Sequence, residues 1–128
     1  TGRSEIARAA IESMVFQTRD VVEAMTTASG HNLKHLKVDG GASAMNLLLQ
    51  LQSDHLQVPV SRPISHEVTA LGAAYLAGLA SGFWSSLDEI GNLWSADFYA
   101  YPNELIDKEE TKYQKWLEAV NRSLEWES

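Results

Sequence analysis

The stretch LKVDGGASAMNLLLQLQSD, residues 36–54, sets an aspartate and two glycines between a short apolar run and an apolar helix pattern. Glycine has no Cβ and tolerates positive φ, so backbone at Gly40 and Gly41 can come close to an approaching ligand or chain segment. A glycine turn between a strand and a helix also aims helix N–H groups into the crevice beyond the strand's C-terminal end, where open α/β sheets bind ligands. Helix N-termini favour anions and polar ligand edges, so this junction has the chemistry to hold a nucleotide. A tight turn without a ligand accounts for the same two glycines. The run is neither a GxGxxG fingerprint nor a Walker A loop, because no Gly-Lys-Ser/Thr follows.

Other chemistry-bearing residues form weaker patterns. His31 and His35 are four apart but flank an expected helix end and strand start, and without a third ligand they make a poor metal site. His55 and His66 read as surface or helix-end residues. No spacing of serine, histidine and acid indicates a hydrolytic triad, which is recognised by geometry. Asp107, Glu109 and Glu110 open the last helix, complement its dipole and read as solvated. Trp84, Trp94, Trp116 and Trp126 read as packing anchors, with exposed ones marking an interface.

The elements that must position these residues follow from periodicity. Residues 4–26 predict a helix with Ser4 as N-cap, Ile6, Ala10, Met14, Gln17, Val21 and Met25 near one face, and Glu5, Arg8, Glu12, Arg19 and Glu23 on a polar surface. Gly30 is its expected stop. HLKV (35–38) reads as a strand, 43–56 as a helix carrying Leu47, Leu48, Leu51 and Leu56, and VPVSRP (58–63) as a second extended piece. Pro59 and Pro63 point to an edge position or to strand ends. Residues 66–82 predict a third helix ending at Gly82. Ala70, Ala73, Ala74, Ala77 and Gly78 line one of its faces with small side chains, while Gly72, costly in mid-helix, predicts a close neighbour or ligand. Residues 85–103 read as irregular and 104–124 as an amphipathic helix with Tyr113, Trp116, Leu117, Val120 and Leu124 in its stripe. Strands alternating with helices indicate parallel βαβ units. Two strands make a poor independent sheet, so further strands are expected from a longer parent. The Thr1 start fits the same expectation.

Bulk properties narrow the class. The chain has 128 residues, 45% of them hydrophobic, enough for one globular domain or part of one. A net charge of −7 argues against nucleic-acid and anionic-membrane surfaces. There is no cysteine, which removes disulfides and thiolate metal sites and is compatible with the cytoplasm. No apolar run approaches the roughly 18 residues of a membrane span.

Three segments in order, IARAAIESMVFQTRDVVEAM, LKVDGGASAMNLLLQLQSDHLQVPVSRP and EVTALGAAYLAGLASGFW, closely resemble the C-terminal domain of glycerol kinases, within the FGGY carbohydrate kinases. The likeness runs from about Thr1 to Trp84 and, less specifically, to YQKWLEAVNRSLEW in the last helix. It covers nearly all of this chain but only the final portion of such a kinase. The resemblance implies an α/β fold, part of a ribonuclease H-like domain of the actin/Hsp70/hexokinase ATPase type, with short parallel strands and several helices. It implies that residues 1–128 are the C-terminal portion of the nucleotide-binding C-terminal domain, with the catalytic N-terminal domain absent. The activity implied for the parent is ATP-dependent phosphorylation of glycerol to sn-glycerol 3-phosphate with Mg²⁺, in a cytoplasmic and commonly oligomeric enzyme.

Carried over residue by residue, Gly41 and Ala42 would lie against the nucleotide, Gly40 would shape the turn, and Asp39 would sit near the ligand or act as a turn acceptor. Met45 stands where glycerol kinases usually place an asparagine that helps hold adenine. Met45 can pack on a base, but it cannot supply an amide hydrogen bond. Asn46 reads as a core-edge or cap residue. The family's phosphate loop, catalytic aspartate and glycerol pocket all precede this region, so no catalytic residue and no metal ligand is assigned here. The chain alone is expected not to phosphorylate glycerol. Two alternatives stand beside this reading: a free-standing, non-catalytic interaction or regulatory module, and a piece of another FGGY kinase, for example one for a pentose.

Overall fold

The computed structural model describes residues 1–65, 67–104 and 107–124. His66 and Trp126, both named above, lie outside the described residues. The elements are α1 (Arg3–Ser29), β1 (Leu36–Lys37), a 3-10 turn (Gly41–Ala44), α2 (Asn46–Leu56), β2 (Val60–Pro63), α3 (Val68–Ser81), α4 (Leu87–Leu93), β3 (Ala96–Ala100) and α5 (Asp107–Ser123).

The three strands form one sheet in the order β1-β2-β3. β1 and β2 are parallel, with Leu36 opposite Val60 and Lys37 opposite Ser61. This is the expected βαβ unit, with α2 as its crossover. β3 runs antiparallel to β2, pairing Ala100 with Val60 and Phe98 with Arg62. The sheet is therefore mixed rather than purely parallel. The third strand and α4 both fall in the stretch 85–103 that sequence reading left irregular. β2 is the central strand, not an edge. Pro63 is tolerated there because it ends the strand at a register shift against β3.

α1 starts one residue before the expected N-cap. Gly2 caps it, and its N–H donates to the Glu5 carboxylate at 2.8 Å. Gly30 and Gly82 end α1 and α3 in the left-handed conformation, φ 70° and 77°, that glycine adopts most readily.

The core lies between α1, α2, α5 and one face of the sheet. Val15, Phe16, Leu48, Leu49, Leu51, Val60, Ala100 and Tyr113 are buried in it, with Ile11, Met14, Phe98 and Trp116 packed around them. The core-facing stripe of α1 is thus Ile11, Met14, Val15 and Phe16, which shares only Met14 with the predicted face. Ile6, Val21 and Met25 are exposed. Leu47 is exposed as well, its place in the α2 core taken by Leu49.

Polar side chains complete the α1–α5 seam. Arg19 pairs with Glu110 at 2.7 Å and lies over the Tyr113 ring at 3.8 Å. Lys112 bridges Glu12 and Glu109. The Tyr113 hydroxyl donates to Asp20 at 2.7 Å, and the Trp116 indole N–H donates to the other oxygen of the same carboxylate at 2.8 Å. Burial and the carboxylates of Asp20 and Glu23 push the Tyr113 phenol well above its usual range. Glu110 is held below the usual carboxylate range by its hydrogen bond from Arg19. Glu109 and Glu110 are therefore structural partners rather than solvated charges, and Arg19 belongs to the seam rather than to a polar surface.

His55 also departs from expectation. It closes α2, as predicted, but it is buried against Phe16, ring edge to face at 5.2 Å, instead of lying on the surface. Burial, with Arg19 nearby, lowers its pKa; Glu109, 4.0 Å away, opposes this.

Candidate functional site

β1 delivers the chain to the glycine turn at the C-terminal end of the parallel pair. Val38 donates its N–H to Ser61 at 2.9 Å, the last rung of that pairing. Gly40 then takes φ +85° and ψ 173°, a conformation that side chains resist. Gly41–Ala44 make one 3-10 turn, and Met45, with extended backbone, caps α2. Gly40, Gly41, Ala42 and Met45 are all exposed on one short segment. No Cβ built at Gly40 or Gly41 would meet another atom within 4 Å, so internal packing calls for glycine at neither, and only Gly40 has the positive φ that favours it. Asn46 is the first residue of α2, and its side-chain oxygen accepts from Arg62 at 3.1 Å.

The crevice beside this turn is lined by protein on its far side. Lys37, Val38, Asp39, Pro63, Val68 and Trp94 enclose a cavity of about 160 Å³. Asp39 is exposed there, and the Lys37 ammonium sits 3.9 Å from the centre of the Trp94 ring. Pro63, Val68 and Trp94 also line a second, apolar cavity of about 270 Å³ with Leu71, Gly72 and Tyr75. Gly72 borders this open space and would clash with nothing as alanine, so of the close neighbour or ligand expected for it the structure supplies no close neighbour. Gly78 has the close neighbour instead: a Cβ there would fall 2.1 Å from the Trp84 ring. Trp84 and Trp116 are packing anchors, Trp84 against Tyr75 and Phe83 and Trp116 against Phe16.

His31 and His35 have separate partners. A ring nitrogen of His31 is 2.8 Å from the Ser29 carbonyl, and one of His35 is 2.7 Å from the Ser61 hydroxyl. Among the described residues, no three His, Cys, Asp or Glu side chains are grouped to hold a metal ion, and no helix is long and apolar enough to cross a membrane.

Sequence reasoning missed the residues that tie the turn down. Ser43 is buried, takes the Gly40 carbonyl with both its N–H and its hydroxyl at 3.0 and 2.7 Å, and offers its own carbonyl to Arg62 at 2.9 Å. The signal available was an arginine at the end of the strand parallel to the one entering the glycine turn.

Residues 1–81 match the C-terminal domain of the FGGY family of carbohydrate kinases. The chain is 52% identical over 124 residues to glycerol kinase of Haemophilus influenzae, covering 97% of this chain and 25% of that one. It is 55% identical over 122 residues to glycerol kinase of Alkaliphilus oremlandii, covering 95% and 24%. Among solved structures, Plasmodium falciparum glycerol kinase with ADP superposes with a TM-score of 0.85 at 34% identity, over 97% of this chain and 25% of that one. Ligand-bound xylulose kinase of Lactobacillus acidophilus gives 0.70 at 29% identity, over 92% and 24%. The chain spans about a quarter of the length of these relatives. The likeness extends through the glycine turn and the strands that carry it, and the chain belongs to the FGGY family of carbohydrate kinases.

Proposed function

We propose that this chain is part of an ATP-dependent glycerol kinase and forms the adenosine-facing wall of its cleft. The observation that carries the reading is the exposed glycine turn at the C-terminal end of β1, in a chain 52% identical to a glycerol kinase over 124 residues. Glycerol is favoured over a pentose by the closer fit to the glycerol kinase structure, 0.85 against 0.70 in TM-score.

In this reading Gly41 and Ala42 pass their backbone along the nucleoside, Gly40 sets the turn, and Met45 packs an apolar side chain against the base. The donor set suits a nucleoside, being small, exposed and free of side chains that would block approach. ATP supplies the phosphoryl group, with Mg²⁺ as the phosphates' counter-ion; no residue of this chain is assigned to the metal. Phosphoryl transfer also requires charge clamps on the phosphates and a group that orients the attacking hydroxyl, and none of these is assigned to the chain. It therefore binds nucleotide weakly and does not turn over alone. The parent enzyme is assigned to the cytoplasm and to a homo-oligomer.

The test is an ADP titration of the isotopically labelled chain followed by NMR, with a coupled assay for glycerol phosphorylation on the same sample. Shifts concentrated at Gly40–Met45 without turnover support the reading. Shifts confined elsewhere, or turnover above background, would overturn its site or its inactivity respectively.

A further inference from the structure

The glycine turn has little of its own to hold it in place. Of residues 39–47 only Ser43 is buried; the rest are exposed. Glycine and alanine offer no side-chain contacts, and a 3-10 turn of four residues leaves its last carbonyls without partners inside the turn. A surface that must meet a ligand in a fixed shape needs an anchor from the body of the fold.

That anchor comes from the neighbouring strand. Arg62, near the end of β2, has a side chain only 12% exposed. Its Nη1 donates to the Ser43 carbonyl at 2.9 Å and to the Asn46 side-chain oxygen at 3.1 Å. These two contacts straddle Met45 and Ala44, so they fix the end of the turn to the start of α2. Ser43 passes the restraint on to Gly40 through its N–H and hydroxyl.

The guanidinium is itself held from behind. Nε and Nη2 donate to the two oxygens of Asp97 at 2.9 and 3.0 Å, a forked pair, and the group lies 5.3 Å from the centre of the Phe98 ring. The register of β3 explains how Asp97 reaches it. Arg62 pairs with Phe98 and Pro63 with Ala96, so Asp97 is the extra residue of a β-bulge. A bulge re-aims one side chain out of the regular alternation. Here the register shift sets the carboxylate of that extra residue against the arginine beside it.

We propose that Arg62 is a positioning residue for nucleotide binding, with Asp97 on the bulge setting the orientation of its fork. This rests on the nucleotide reading of the glycine turn given above. Arginine is required because four N–H groups in one plane serve three separate acceptors; a lysine ammonium is a point charge on a flexible stem and cannot do so. The arrangement also links the geometry of β3 to the shape of the turn, a link that neither strand contains alone.

The experiment uses the 128-residue chain, with Arg62→Lys and Asp97→Asn as variants and Arg122→Lys, on the exposed side of α5, as control. Two quantities are measured by NMR: hydrogen exchange of the Ser43 and Met45 amides, and the affinity for ADP. Arg62→Lys is expected to speed exchange at those two amides by about tenfold and to weaken ADP by a similar factor, leaving α5 amides unchanged. Asp97→Asn, which keeps the arginine and disturbs the fold least, is expected to give a smaller change in the same direction. Unchanged exchange at Ser43 and Met45 in both variants would overturn the proposal. A uniform rise through α1 and α5 would also overturn it, since that is the mark of global destabilisation. If the unsubstituted chain takes up no ADP at the turn, the nucleotide reading falls, and with it Arg62's assignment to nucleotide binding. The exchange comparison still decides whether Arg62 holds the turn.

Discussion

α3 and α5 invert the usual relation between composition and burial. α3 has no charged side chain and consists of Val, Ala, Leu, Gly, Thr, Tyr and Ser, yet Gly78 is its only buried residue. α5 is rich in Lys and Glu, yet it places Tyr113 in the core at 2% exposure. The difference is one of partners. α5 meets α1 along a seam in which Arg19 meets Glu110 and the Tyr113 ring, Lys112 meets Glu12, and Asp20 takes the Tyr113 and Trp116 donors, so Tyr113 can be buried with its polar neighbours paired. Around α3, Leu76 is 70% exposed and Phe83 just beyond it 76%. Burial here reports which surfaces are brought together, and hydropathy alone does not decide that.

Two substitutions on opposite sides should break the molecule unequally. Leu49→Ala removes a fully buried side chain from α2 and is expected to cost about 2–5 kcal/mol, seen as a lower urea midpoint. A loss no larger than that of a surface substitution would mean that the α1–α2 core is not the part that holds the fold. Next in size is Gly78→Ala. The added methyl gains helix propensity but collides with the Trp84 ring, which a Cβ would approach to 2.1 Å. The net cost is expected to be about 1–2 kcal/mol, with a red shift of tryptophan emission as Trp84 leaves its place. In a Trp84→Ala background the same substitution should become neutral or stabilising. If it stays as costly there, the ring is not what fixes the glycine.

How much of this was legible beforehand depended on the kind of signal. The α2 crossover and the glycine junction were readable because turn residues and periodicity agree there. β3 was missed although Ala96–Ala100 alternates as a strand should. Its inward residues include two alanines, and Trp94, Pro102 and Asn103 around it made the stretch read as a loop. The wrong face of α1 was chosen for a different reason. The helix is 27 residues long, and residues 3–10, its first two turns, are exposed. Ile6 therefore had good spacing and nothing to pack on, and Val21 and Met25, beyond the core-facing stretch 11–16, are exposed as well. The exposed residues of the proposed site, Gly40–Ala42 and Met45, come from the family resemblance, whereas the clamp behind them does not. Arg62, Ser43 and Asp97 are brought together by a parallel pairing and a bulge, and neither leaves a local pattern.

A smaller effect should separate the buried His55 from the exposed His31. The folded chain disfavours charge on His55, so its pKa lies below the ordinary 6.5. Between that lowered value and 6.5 the unfolded chain binds the extra proton, so stability falls as pH drops through this window and is full above it. Denaturation midpoints should therefore decline from about pH 6.5 downward, before the carboxylates titrate. His55→Gln should remove that slope, whatever it does to the midpoint itself. A slope that persists would assign the effect to another group and make His55 as ordinary as sequence reading took it to be.

The smallest expected change probes the other half of the contrast. Leu76→Gln alters a side chain that is 70% exposed in the middle of α3, so the folded chain loses little contact, and the unfolding free energy should move by no more than about 0.5 kcal/mol. A change several times smaller than that of Leu49→Ala, for a residue of the same type in a helix of the same chain, would show that α3 is held from one side only. A destabilisation approaching that of Leu49→Ala would mean that α3 buries its outer face in solution, against a second copy, and sedimentation of the two samples would then differ. Such a result would collapse the contrast between the helices, because α3 would have found its partner just as α5 has found α1.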